Sequence, residues 1–317
     1  MNQIPLAGSN LSVSELCLGT GSFGTHIREE AADRLLGAFL DAGGNFVDTA
    51  HCYAFWEPNG EGASERELGA SLRRLGGTER AVIATKGGHP DAGSRYSRPD
   101  AYLSAQVLRS DIDDSLMRLA VDRIDLYYLH RDDPRMDVEE ILGTLNAEIA
   151  LGRLRALGAS NWSVERLQAA NEAAARNGWH GFVISQIAGS LADPNWTVGP
   201  DPTMRYLAAA ERSWHTASQL PISAYSATAN GYFAHPERRS GAYDSPANSG
   251  RRDRATQLAA ELNASPTQIA LAWLRAQPFP VIPLFSTSRP AHLQEAIGST
   301  AVTLTAKQVS WLGSGAP

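Results

Sequence analysis

The chain has 317 residues, 43% of them apolar and 20% charged, with 28 lysines and arginines against 34 acidic residues for a net charge of −6. That composition supplies material for a large core and no basic block, which disfavours nucleic-acid and anionic-membrane partners. Cys17 and Cys52 are the two cysteines, so a disulfide framework is excluded and a reducing, cytoplasmic setting is expected.

The N-terminal "MNQIPLAGSN" carries neither the basic nor the apolar region of a secretory signal, and no apolar run approaches the roughly 20 residues that span a bilayer. "IPLAGSNLSVSE" reads as a hairpin turning at Gly8-Ser9-Asn10. Short β-rich runs then follow at 15–19, 45–48, 81–86, 124–130, 154–160, 181–186, 220–226 and 279–283. Between them lie helical patterns at 29–41, 64–75, 99–119, 137–151, 163–177, 202–218 and 251–276. In the first helix Ala31, Leu35, Ala38 and Phe39 share a face. Ser64 and Ser163 stand where N-caps are expected, and Glu67 would complete a capping box with Ser64.

Alternating strands and helices imply a parallel sheet with right-handed crossovers. Eight such units in this length predict an α/β fold of the closed (β/α)8 TIM-barrel type. It would be a single domain over 1–317, with the N-terminal β-hairpin closing the barrel bottom. The Gly-, Pro- and Ser-rich stretches 187–202 and 234–251 then become loops of the active face.

Residues 19–24, "GTGSFG", match G-x-G-x-x-G after a strand, with Asp48 ending the next one, as in a dinucleotide-binding Rossmann unit. A Rossmann helix would begin inside the glycines, whereas the apolar periodicity here begins only near Glu29. A glycine turn at a crowded barrel mouth, where a ligand approaches the backbone, accounts for the motif as well.

In a barrel the strand C-termini carry the chemistry. Asp48, Lys86 and His130 end three successive strands, and Tyr53 follows Asp48 by five residues. An ammonium beside a phenol stabilises phenolate, so Lys86, braced by Asp48, is expected to bring Tyr53 down from about 10 toward neutrality and make it a general acid. His130 would orient a carbonyl oxygen.

These residues and their order resemble the aldo-keto reductase family over nearly the whole chain. "GGNFVDTAHCY", "GEGASERELGASL", "IATKGG" and "DLYYLHRDDP" resemble its segments bearing the Asp, the Tyr, the Lys and the His. "LGASNWS" resembles its Ser-Asn pair for the nicotinamide amide, here Ser160 and Asn161, with Gln186 similarly placed. Tyr225 stands where the family stacks an aromatic ring on the nicotinamide, followed by Ser226. "STSRPAHLQEA" resembles the segment clamping the adenosine phosphate, giving Ser288, Arg289 and Glu295. Gly19, Thr20 and Gly21 join these as cofactor contacts.

The resemblance implies an NADP(H)-dependent oxidoreductase, with NAD(H) as a possible substitute. It would act on an aldehyde or ketone, or in reverse on an alcohol or sugar hydroxyl, with a monomer as the default assembly. Arg289 would face the 2′-phosphate. Ala296 replaces the family's adenine-contacting Asn, and Gly189 stands where many relatives have an aromatic, which is expected to open the pocket floor. "IPLFST" lacks the glycine that commonly follows the Pro.

An alternative of another class is a nicotinamide-binding regulatory subunit of the potassium-channel β type. That version needs an added gating segment, and this chain begins just before the hairpin. His51 and Cys52 suggest metal, yet the His-x-His common in metal-dependent barrels is absent, so no metal is expected. His51 is expected at the entrance and Cys52 as a buried filler. Phe55, Trp56, Trp162 and Trp196 suit either an aromatic substrate wall or loop packing. Arg238, Arg239, Arg251 and Arg252 are expected in a solvated loop.

Overall fold

Two short strands, β1 (Gln3–Leu6) and β2 (Leu11–Ser14), pair antiparallel from Gln3–Ser14 to Leu6–Leu11 in a computed structural model that describes residues 1–195, 203–235 and 241–315. Gly8 at φ +82° makes the turn, where a side chain would be strained. Eight further strands are all parallel: β3 (Cys17–Gly19), β4 (Phe46–Asp48), β5 (Val82–Gly87), β6 (Ile124–Leu129), β7 (Leu154–Ser160), β8 (Phe182–Ala188), β9 (Ile222–Tyr225) and β10 (Val281–Phe285). They close into a barrel in the order β10-β3-β4-β5-β6-β7-β8-β9. The expected (β/α)8 TIM-barrel architecture is therefore the one observed.

The helices are α1 (Glu29–Asp41), α2 (Ala63–Arg74), α3 (Ala105–Leu119), α4 (Val138–Ala150) and α5 (Val164–Asn177). They continue as α6 (Ala209–Ser218), α7 (Pro246–Leu262), α8 (Pro266–Arg275), α9 (Pro290–Gly298) and α10 (Ala306–Ser314). Successive side chains on a strand point to opposite faces, and β6 shows the result. Leu126 and Tyr128 enter an inner cluster with Phe46, Ile184 and Ile282, while Tyr127 and Leu129 join an outer cluster with helix residues such as Leu36, Ile112 and Leu142. Leu6, Leu11 and Val13 of the hairpin belong to the inner cluster. The hairpin thus seals the barrel bottom with apolar side chains, each worth roughly 1.5–3 kcal/mol when fully buried.

Several local expectations change. Ser163 caps α5 by accepting from the Arg166 amide at 3.3 Å. Ser64 is not a cap, because α2 starts at Ala63 after a left-handed Gly62, and the buried Ser64 hydroxyl instead donates to the Thr20 carbonyl at 2.8 Å. The predicted helix over 251–276 is two helices. Asn263 turns left-handed at the end of α7, Pro266 lacks the amide to continue it, and a Ser265–Gln268 capping box starts α8. Helix α3 begins at Ala105, after the expected start. Arg251 lies within α7, bound to Asp193, Asn248 and the Gly313 carbonyl, and Arg252 stacks on Tyr232, so neither is part of a solvated loop. Trp196, Arg238 and Arg239 lie outside the described residues. Among the described residues no helix is long and apolar enough to cross a membrane.

Candidate active site

Asp48 is the last residue of β4, Lys86 the penultimate residue of β5 and His130 the first residue after β6. Neighbouring strands therefore deliver all three to the same end of the barrel. Both the Thr20 amide and the Thr20 hydroxyl donate to the Asp48 carbonyl at 2.9 Å, tying the glycine turn to the end of β4. Beyond Asp48 the chain folds back on itself through Ala54 at φ +73°. Gly60 closes this loop, leaving no room for a Cβ between the carbonyls of Ala54 and Glu57. That return brings Tyr53 over the strand ends.

Lys86 Nζ has three protons and three acceptors: Asp48 Oδ1 at 2.5 Å, the Thr49 carbonyl at 2.7 Å and Tyr53 Oη at 2.9 Å. Burial alone would depress the Lys86 ammonium, but Asp48 and Tyr53 outweigh it and hold the group above its ordinary value. Burial pushes the Asp48 carboxyl upward against the pull of Lys86 and Gln186. Tyr53 departs from expectation: burial raises it above its ordinary value, and Lys86 offsets only part of that. The phenol is therefore protonated at neutral pH. His130 is 7% exposed and lies 5.9 Å from Tyr53, ring to ring. Burial, with Arg131 and His89 adding to it, pushes His130 well below the ordinary histidine value, so it is a neutral imidazole at pH 7.

The predicted cofactor residues fall into three groups. Ser160, Asn161 and Gln186 stand together where β7 and β8 pair, with Ser160 opposite Gln186. Gln186 Nε2 donates to Asp48 Oδ2 at 2.9 Å, although β8 and β4 are four places apart in the ring of eight and face each other across it. Asn161, at φ +61°, accepts at Oδ1 from the Tyr225 hydroxyl at 2.8 Å and from the Arg205 amide at 3.0 Å.

Tyr225, Ser226, Arg289 and Glu295 line a groove of about 540 Å³ that Tyr53 also lines. Glu295 within it accepts from the Ser265 hydroxyl at 2.5 Å. Ser288 and Gly19 instead line an adjoining hollow of about 510 Å³ that shares Arg289. Gly19 leaves no space for a Cβ beside Ser286, and a Cβ on Gly21 would touch the Tyr53 ring at 3.6 Å. Thr20 is buried beneath them.

Gly189 does not open the pocket floor. Ala224 and Leu207 occupy the space beside it, because residues 205–207 bond back to Ala188. Trp162 is buried against Phe182 and Arg166, so it packs the scaffold, whereas Trp56 is 58% exposed and 6.3 Å from Tyr53. Phe55 packs on Tyr96. His51 does not line the entrance: it is 3% exposed and hydrogen-bonded to Tyr96 and Asp114.

The sequence reading missed Thr49, whose carbonyl takes the third Lys86 proton, and the groove residues Asn230 and His235. It also missed a contact between Cys52 Sγ and His130 Nδ1 at 3.4 Å. Burial raises the Cys52 thiol to about 12.

The model of the Aldo/keto reductase family matches residues 15–314. A 6-dehydroglucose reductase of Novosphingobium aromaticivorans is 30% identical over 96% of this chain and 92% of its own. A fission-yeast (Schizosaccharomyces pombe) protein named as an NADP(+) aldo-keto reductase is 26% identical over 91% and 84%. The crystal structure of a thermostable aldo-keto reductase with the inhibitor epalrestat superposes with a TM-score of 0.71 over 99% of each chain at 21% identity, a likeness of fold.

Proposed function

The chain belongs to the aldo/keto reductase family, and from that premise we propose that it is an NADP(H)-dependent carbonyl reductase acting through Tyr53, with residues 1–317 as one domain. Membership carries the reaction class, carbonyl oxidoreduction. The observation that carries the finer reading is the three-acceptor grip of the Lys86 ammonium, which leaves Tyr53 Oη as an acceptor toward Lys86 and its own proton toward the mouth.

The residues present fit the cofactor. Tyr225, Ser226, Arg289 and Glu295 line the groove together with Tyr53, and Arg289 suits a phosphate through its planar fork of donors. The fission-yeast relative, named for NADP(+), supports that choice. Bound NADPH supplies the hydride. As negative charge grows on the substrate oxygen, Tyr53 donates its proton there. The phenolate left behind is held by Lys86, whose charge Asp48 and Gln186 steady in turn. His130, neutral, donates a hydrogen bond that orients the carbonyl. Specificity comes from the loops at 54–63, 87–98 and 187–202, with Trp56 as an exposed platform.

Fluorescence titration with NADPH and NADH, followed by turnover on a panel of aldehydes, ketones and sugar carbonyls, tests the reading. The sugar-acting relative at 30% identity is the reason for the sugars. Absence of binding by either cofactor would sink it, and binding without turnover on any carbonyl would favour the regulatory alternative.

A further inference from the structure

Beside Tyr53, three side chains that bind borderline metals come together from three elements. Cys52 lies in the loop after β4, His89 two residues past β5 and His130 one residue past β6, and one ligand atom from each lies within 4.8 Å of the others. We propose that Cys52, His89 and His130 form an inhibitory site for a divalent cation of the zinc class, and that filling it stops carbonyl turnover by capturing His130. The inhibitory half rests on the reductase reading above; the binding half does not.

The geometry is close to what such an ion needs. Zinc bonds of about 2.3 Å to sulfur and about 2.0–2.1 Å to nitrogen in a tetrahedron set neighbouring ligand atoms roughly 3.5 Å apart. Cys52 Sγ and His130 Nδ1 already have that separation at 3.4 Å. His89, half-buried in the segment 88–104, completes the set, its ligand atom lying within 4.8 Å of the other two. Its ring stands edge-on to His130 with centroids 4.8 Å apart.

His89 Nδ1 lies 2.8 Å from the Pro90 carbonyl oxygen, a bond that requires the proton on Nδ1 and makes Nε2 the acceptor. A backbone carbonyl on the second ring nitrogen is the usual device that fixes a ligating histidine's tautomer and ring plane. The nearby Lys86 ammonium is paired with Asp48, while the Arg131 guanidinium is the positive group an arriving dication has to meet at His130.

One thiolate and two imidazoles select zinc, cobalt(II) or copper over magnesium or calcium, whose preference is for oxygen. On binding, the Cys52 S–H bond breaks and its proton leaves to solvent. The thiolate and two neutral imidazoles give their lone pairs to the ion, which keeps a water as its fourth ligand, and no oxidation state changes. With the ion on Nδ1, His130 is tied to Cys52 and His89, and the dication with its water stands next to His130 and Tyr53, where a substrate carbonyl would have to enter.

Titrating tag-free, full-length protein with Co²⁺ reads the site without turnover. A near-ultraviolet thiolate-to-cobalt band saturating at one ion per chain, and displaced by Zn²⁺, is expected. Cys52→Ala should abolish the band and weaken Zn²⁺ binding by at least about 10-fold. Cys17→Ala, which removes the other cysteine, should retain the band. In parallel, Zn²⁺ should suppress NADPH-dependent turnover of the wild type and a chelator restore it, while turnover of Cys52→Ala, measured against its own baseline, resists the same Zn²⁺. No band, or a band surviving in Cys52→Ala, overturns the site. A band with Zn²⁺-insensitive turnover overturns the inhibition. A band in a protein that turns over no carbonyl supports the site and counts against the reductase reading.

Discussion

Lys86 donates to the hydroxyl oxygen of Tyr53 at 2.9 Å, and this bond fixes the direction in which the phenol can act. With a lone pair committed to the ammonium, the Tyr53 proton is left for a group in the mouth. Tyr53→Phe removes that proton and keeps the ring. Cofactor binding should persist while carbonyl turnover falls by about 10²- to 10⁴-fold, the usual weight of a positioned general acid. Undiminished turnover in single-turnover assays would refute the assignment.

The pH profile follows from the same phenol. Burial raises Tyr53 above its ordinary value near 10, so the acid form is intact at neutral pH. For reduction, kcat/KM should be flat over about pH 6–9 and fall only as the phenol ionises. A descending limb near pH 7 would mean that Lys86 dominates burial after all.

His130 links acidity to stability. Its value is depressed in the folded protein, so below about 6.5 the unfolded chain binds a proton that the native chain refuses. Stability therefore drops as the pH falls through that region, by as much as about 2 kcal/mol between pH 7 and 5 at 1.36 kcal/mol per unit. His130→Asn should flatten this slope in denaturant titrations at the two pH values. An unchanged slope would assign it to other groups, such as the buried His215, which burial also depresses.

Much of this arrangement was legible in the residues because it depends on position along strands. The runs ending at Asp48, Lys86 and His130 declare their strand ends, and a barrel forces strand ends together. Contacts that depend on how a loop returns were not legible. Nothing in "HCY" states that Cys52 reaches His130 while His51 turns toward Asp114, since both depend on the fold-back through Ala54 and Gly60. The direction of the Tyr53 shift was misjudged because charge partners can be read from a sequence but depth of burial cannot. The break at Asn263 was hidden by apolar periodicity continuing on both sides, even though Ser265-Pro266 carries the start signal of a new helix.

Arg289 lines both hollows, and in the proposed complex its guanidinium would face the 2′-phosphate. Arg289→Ala should weaken NADPH by about 10-fold or more, the loss of one charge-assisted bond, and leave NADH nearly unaffected. Equal losses for both cofactors in fluorescence titrations would place its role elsewhere than the 2′-phosphate.

The hairpin plug is separable from the chemistry. Leu6 is fully buried in the inner cluster, so Leu6→Ala should cost about 2–5 kcal/mol in chemical denaturation and leave NADPH affinity of the folded protein unchanged. A matching loss of cofactor affinity would show that the barrel floor and mouth are coupled.

The Gln186–Asp48 bond has a mechanical meaning. It runs along a diameter of the ring, from one wall to the wall opposite, and so acts as a tie-rod across the opening. Any breathing of the barrel along that line stretches the rod at the carboxylate that anchors Lys86, and the ammonium's hold on the phenol loosens with it. The stiffness of the hoop thus feeds into the part of the Tyr53 acidity that Lys86 sets, beneath the larger effect of burial.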